Sequence, residues 1–228
     1  MKVCFFKFRA DLGLVGTMTY VILRGRMIRS NEEAGEPMTI QTSESPYLVG
    51  HLLVAMPGMP DPRFSKSVIY VCAHNDDGAM GLVINQRMDE LTFPDLLEQL
   101  NLVQTDPGAA IAIQFGGPVE QGRGFVLHSP DYMHESTLVV DGQVALTGTV
   151  DILQAIAEGH GPKARILALG YAGWGPGQLD SEILENGWLT VEADPTIVFD
   201  VGLEKKWESA LAKLGIDLSL LSEEAGHA

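Results

Sequence analysis

Short apolar runs, each closed by glycine, proline or a turn signal, constrain this chain more than any other feature. Residues 48–56, 67–74, 80–85, 109–115 and 165–171 are apolar stretches of strand length, too short for buried helices. The first is stopped by Pro57-Gly58-Met59-Pro60-Asp61-Pro62, where three prolines remove ladder donors and leave a rigid loop. Asn75-Asp76-Asp77-Gly78 is a hairpin turn between the second and third runs. Strands are also expected at 124–129, 138–140, 143–146, 188–193 and 196–201, with Asp141-Gly142 turning one pair.

Helical spacing interrupts these runs. Thr92 caps a short helix with Pro94 in its first turn and Leu96, Leu97 and Leu100 on one face. Thr149 caps a second, over 150–158, stopped by Gly159. A glycine-rich loop over 172–177 opens a third over 178–186, and a fourth spans 204–214 before Gly215. Hairpins mixed with helices predict an α+β fold, one compact domain with a mixed, largely antiparallel sheet.

Charge divides the chain. Residues 1–30 carry a net +5 and residues 31–228 a net −20. An acidic body repels phosphate backbones, so direct DNA binding is disfavoured. The basic start and the apolar stretch over 12–23 resemble a weak signal peptide, but Asp11 interrupts them and no cleavage site follows. Residues 1–45 therefore read as a disordered leader or linker, or as the product of a start codon called too far upstream. The folded domain is expected over 46–221, with a tail over 222–228. The apolar stretch is too short to span a membrane, and none is expected as a partner. Two cysteines without a CxxC agree with a reducing cytoplasm, and Cys72, inside an apolar run, reads as a small buried hydrophobe.

Familiar chemical signatures fail on inspection. The loop Gly173-Trp174-Gly175-Pro176-Gly177 is not GxGxxG, and no GxxxxGK, GxSxG or HExxH occurs. A calcium-loop reading around Asn75 lacks its first ligand and its closing glutamate. His128, Asp131, His134 and Glu135 form a metal-like cluster, but Ser129-Pro130 breaks the backbone between the histidines, so a solvated loop is expected. No metal and no cofactor is expected. Asp180, Glu182 and Glu185 read as a solvated helix face.

What remains is a set of residues in loops with special geometry. Asn85 ends a strand with an amide that donates and accepts. Gly116 and Gly117 would let a backbone approach a ligand closely. Arg123, flanked by glycines, could fork onto a carboxylate or phosphate. Gly177 leads into the helix that Gln178 opens, whose free amides favour an anion, and Trp174 adds a flat apolar wall. Asp61, Asn75 and His128 complete the candidates. Together they predict one pocket for a small anionic ligand or a protein partner. The alternative is an enzyme on a phosphorylated or nucleotide-like compound, with Asp61, His128 or Asp180 as general base.

Several segments together resemble the YqgE/AlgH family of bacterial proteins, UPF0301. They are Gly50-His51-Leu52-Leu53-Val54-Ala55-Met56-Pro57 with Asp61-Pro62-Arg63-Phe64; residues 74–85; Phe115-Gly116-Gly117-Pro118-Val119; Gly124-Phe125-Val126-Leu127-His128; and residues 169–179 with Glu182, Asn186 and Trp188. The resemblance runs in order through nearly all of 46–221. It implies a bifurcated sheet of pseudo-barrel character flanked by helices, and a cytosolic protein. It also brings a transcriptional-regulator label, but no reaction. No pair of short helices with a basic recognition face is legible here, so regulation, if any, is expected to be indirect.

Overall fold

Strands form where the apolar runs lie, and one of them divides the sheet. The computed structural model describes residues 20–23, 26–29, 47–106 and 111–216. Residues 9–46 make a separate unit, in which β1 (Tyr20–Leu23) pairs antiparallel with β2 (Arg26–Arg29). The rest of the expected leader, Cys4 and the tail lie outside the described residues.

In the main unit, β3 (His51–Ala55), β4 (Val68–Asn75) and β5 (Gly78–Val83) precede α1 (Phe93–Gln99). Next come β6 (Ile113–Phe115), β7 (Val119–His128), β8 (Thr137–Val139), β9 (Ala145–Thr147) and α2 (Val150–Ala157). Then follow β10 (Arg165–Trp174), α3 (Gln178–Leu184), β11 (Trp188–Glu192) and α4 (Leu203–Lys213). The sheet order is β11-β3-β4-β5-β10-β7-β9-β8, with antiparallel neighbours, while β6 lies parallel to β10. The sheet curls into a half-barrel, and the class is α+β as the sequence predicts.

The fork sits on β10. Its residues 172–174 pair with β5, and its residues 167–169 with β6. The register against β7 shifts between Leu169 and Tyr171, at Gly170, whose φ is +74°. Gly116 bridges the two branches: its N–H donates to Leu169 O and its carbonyl accepts from Val83 N–H, both at 2.8 Å. A Cβ at Gly116 would lie 2.3 Å from Gly170 O, one at Gly117 2.1 Å from the Tyr171 carbonyl carbon, and one at Gly170 2.4 Å from Gly117 O. Only glycine lets the two backbone segments 116–117 and 170–171 cross so closely.

Alternation along the strands sorts the core into three parts. Leu52, Val54, Tyr70, Phe125 and Leu127 point to a central cluster closed by α4 through Trp207, Ala210 and Leu211. Val126, Leu167 and Leu169 face α1 and α2, which contribute Leu96, Ile152 and Ile156. Leu53, Ile69, Val71 and Val83 face Leu179 of α3 and the indoles of Trp174 and Trp188. Strands buried on both faces explain why the runs read as continuously apolar.

Local chemistry holds most boundaries. Thr92 and Asp95 form a reciprocal capping box at α1. Thr149 occupies the cap position of α2, but its hydroxyl pairs with Ser136 at 3.0 Å rather than with the helix. Two expectations need correction. Strand β10 runs on through Ala172 and Gly173 to Trp174, because pairing with Gly81, Met80 and Ala79 of β5 carries the backbone past the first glycines. The stretch Thr196–Asp200 is a wide helical turn, not a strand. Its β-branched residues suit a strand, but Ile197 and Val198 are buried, and the Lys206 ammonium of α4 donates to both of their carbonyls.

Candidate functional site

A cleft of about 680 Å³ lies between the 56–64 segment, the end of β10 and α3. That is the size of a small-molecule site. Its apolar surface comes from Met56, Met59, Phe64, Val119, Trp174 and Trp188. Its polar residues include Asp61, Arg63, Gln178, Glu182, Glu185 and Asn186.

Glu182 organises one wall. A single carboxylate oxygen, Oε2, accepts the indole N–H of Trp174 at 2.9 Å and of Trp188 at 2.8 Å. The other oxygen, Oε1, accepts from Gln178 Nε2 at 2.8 Å. Gln178 in turn accepts the Gly175 N–H at 3.0 Å, which ties the entry of α3 to its body. The two indoles stand edge to face at 6.1 Å and 82°, and Phe64 meets Trp188 edge to face at 5.6 Å. Helical spacing places Gln178 and Glu182 on one face of α3, and β11 returns Trp188 beside them. The hydrogen bonds of an ionised acceptor are worth about 1.5–3 kcal/mol each, so this wall is set before any guest arrives.

On the opposite lip Asp61 caps a single helical turn, Pro62–Phe64, accepting the Arg63 N–H at 3.0 Å. The same carboxylate holds the Arg63 guanidinium at 2.6–3.1 Å. Those contacts keep the Asp61 carboxyl below the usual carboxylate range. The cleft thus carries three carboxylates against one guanidinium, and that guanidinium is engaged.

The candidates read from sequence divide sharply. Asp61, Trp174 and Gln178 line the cleft, and Gly177, with φ +67°, caps the helix beside it. The others lie elsewhere. Asn85 ties two strands: its Oδ1 accepts from Val68 N–H and its Nδ2 donates to Lys66 O, both at 2.8 Å. Asn75 serves the hairpin turn, accepting the Asp77 N–H at 2.9 Å. Gly116 and Gly117 do receive a close backbone, but it is the protein's own, at the fork. Arg123 pairs with Glu120 at 3.1 Å and lies over the Phe125 ring at 5.0 Å, away from the cleft lining. Glu182, read from sequence as part of a solvated helix face, instead accepts from both indoles and Gln178; otherwise it and Trp188 were legible only as parts of a resemblance. The signal that could have found them is two tryptophans flanking one amphipathic turn that carries a Gln and a Glu four apart.

The bases weighed for catalysis do not converge. His128 is fully buried, with one ring nitrogen 2.8 Å from Ser129 O and the other 2.9 Å from Thr147 Oγ1, and burial pushes its pKa down. Asp180 faces His74 at 3.7 Å, and neither lines the cleft. Among the described residues no group of three or more His, Cys, Asp or Glu is placed to hold a metal ion. Cys72 is buried and its thiol is pushed up to about 12, which leaves it inert. No helix among the described residues is long and apolar enough to cross a membrane.

A forked half-barrel with an aromatic cleft under one short helix defines the class of protein. The sequence model described as AlgH-like matches residues 52–219. The chain belongs to this family, UPF0301. A UPF0301 protein of Rhodospirillum rubrum is 56% identical over 192 residues, which cover 84% of this chain and all of that one. Another, of Afipia carboxidovorans, is 53% identical over 202 residues, 85% of this chain and 96% of that one. The solution structure of the AlgH protein of Pseudomonas aeruginosa matches with a TM-score of 0.68 at 46% identity, over 83% of this chain and all of that one. A crystal structure from Corynebacterium diphtheriae, 23% identical with a TM-score of 0.62, over 81% of this chain and 95% of that one, shares the fold.

Proposed function

We propose that this protein is a non-catalytic binding or regulatory module, and that the cleft beneath α3 receives its ligand. The observation that carries this reading is the Trp174–Glu182–Trp188 clamp. A carboxylate that accepts three donors is poorly placed to take a further proton from a substrate, but well placed to hold two rings still. Rigid walls and a fixed floor lower the ordering cost of binding. The acidic body fits regulation through a ligand or protein partner rather than through DNA, and the scarcity of cysteine fits a cytoplasmic place of work. The enzyme alternative loses support because Asp61, His128 and Asp180 point to separate surroundings.

The test uses Gly58. It lines the cleft, and a Cβ there would have no atom within 4 Å, so Gly58→Leu obstructs the cleft without straining the fold. Thermal unfolding of the full chain is scanned against a metabolite library. A true ligand at a hundredfold its Kd stabilises by about 2.7 kcal/mol, and Gly58→Leu removes that shift while unfolding within about 0.5 kcal/mol of the wild type. Ligands whose shifts survive Gly58→Leu place binding elsewhere, and turnover of a hit by the wild type restores the enzyme reading.

A further inference from the structure

We infer that the guest of this cleft is an organic cation: an ammonium or guanidinium on an apolar stem. The inference rests on the cleft being the ligand site and deepens it by naming the chemistry.

An anion would need donors, and most of the strong ones here are engaged. Arg63 gives Nε and Nη2 to Asp61, the Gln178 amide donates to Glu182, and both lining indoles donate to Glu182. At the α3 entry the Gly175 N–H goes to the Gln178 side chain and the Gln178 N–H to Gly175 O. The anionic guest expected from sequence therefore finds little to hold it.

A cation meets the reverse situation. Glu182 of α3 and Glu185, which caps the end of that helix, both line the cleft, and Arg63 offsets only Asp61. The Glu182 oxygens keep lone pairs beyond the three they have committed. With their N–H groups consumed, the small parts of Trp174 and Trp188 that reach the cleft, at 8% and 4% exposure, add carbon and ring π-density rather than donors. Met56, Met59 and Phe64 supply an adaptable apolar lining for a methylene stem. The net −20 of residues 31–228 draws cations toward the surface before they reach the cleft. The same chemistry is presented by a free alkylamine and by a lysine side chain of a partner.

The experiment follows the fluorescence of the full chain, in which two of the three tryptophans line the cleft, alongside calorimetry. The probes are n-butylammonium, butyrate and 1-butanol, with Nα-acetyl-lysine methylamide as the side-chain mimic. Butylammonium saturates the signal, and butyrate binds at least about tenfold more weakly. Added salt weakens the ammonium alone. Glu185→Gln, at an exposed position that leaves the indole clamp intact, weakens ammonium about fivefold and leaves 1-butanol unchanged. Tighter binding of butylammonium assigns the site to a free amine; tighter binding of the lysine mimic assigns it to a polypeptide. Butyrate or 1-butanol binding as tightly as butylammonium, with loss in Gly58→Leu, overturns the cation and leaves the binding module standing. No saturation by either cation also overturns the cation, and the library screen then decides the module separately.

Discussion

The two flanks of the forked sheet are covered by unequal means. On one, α1 and α2 together bury Phe93, Leu96, Leu97, Ile152, Leu153 and Ile156 against β6, β7 and β10. On the other, α3 has seven residues and buries one of them, Leu179. The missing apolar volume is made up by Trp174 and Trp188, which are wide and carry polar N–H groups that need an acceptor. Glu182 supplies it, and the cleft opens beside the two indoles. The flank filled by aliphatic side chains and Phe93 keeps an opening of about 360 Å³ beside α1, whereas the flank propped by paired rings keeps one of about 680 Å³.

Four measurements probe that contrast. The largest effect belongs to the seam between the flanks. Gly117→Ala sets a Cβ 2.1 Å from backbone and should cost more than about 4 kcal/mol, read as loss of soluble folded chain or a collapsed urea midpoint. A normal midpoint would mean that the seam yields. Next comes the closed flank. Leu153→Ala removes a fully buried side chain and should cost about 3 kcal/mol in urea unfolding. In the open flank, Glu182→Ala strands two indole donors and should cost about 2 kcal/mol, with altered tryptophan emission, whereas Glu182→Gln keeps an acceptor and loses less. Equal losses for the two Glu182 variants would show that charge, not the hydrogen bonds, sets the wall. The smallest effect separates neither flank and serves as a control on the shared interior. Burial lowers Lys206 to about 8, below its ordinary 10.5, so the unfolded chain binds more protons between those values. Stability should therefore rise with pH through that window. Lys206→Met should flatten the rise, and an unchanged slope would clear Lys206 of the cost.

Where the sequence carried a local cause, the structure mostly follows it. The Thr92 cap, the Asn75–Gly78 turn and the stop after α2 depend on neighbours a few residues apart and were legible, whereas the Thr149 hydroxyl is taken by Ser136 instead of the helix. Thr196–Asp200 was not, because the lysine that holds its carbonyls lies in the following helix. The cleft was half legible for the same reason. Asp61, Trp174 and Gln178 look exceptional where they stand, in a loop, at a strand end and at a helix start. Glu182 looks like any solvated glutamate until β10 and β11 bring indoles to it from either side. Asn85, Arg123 and His128 look equally exceptional, but their partners, Lys66 and Val68, Glu120, and Thr147, are structural ones. Turn chemistry tells that a backbone position is special; it does not tell which distant segment it faces.

The seam at Gly116, Gly117 and Gly170 also bears on how such a gene can drift. Every change in the first two bases of a glycine codon inserts a side chain or a stop. At these three codons a tolerated change is confined to the silent third base, while an exposed lining position such as Glu185 meets no such backbone barrier.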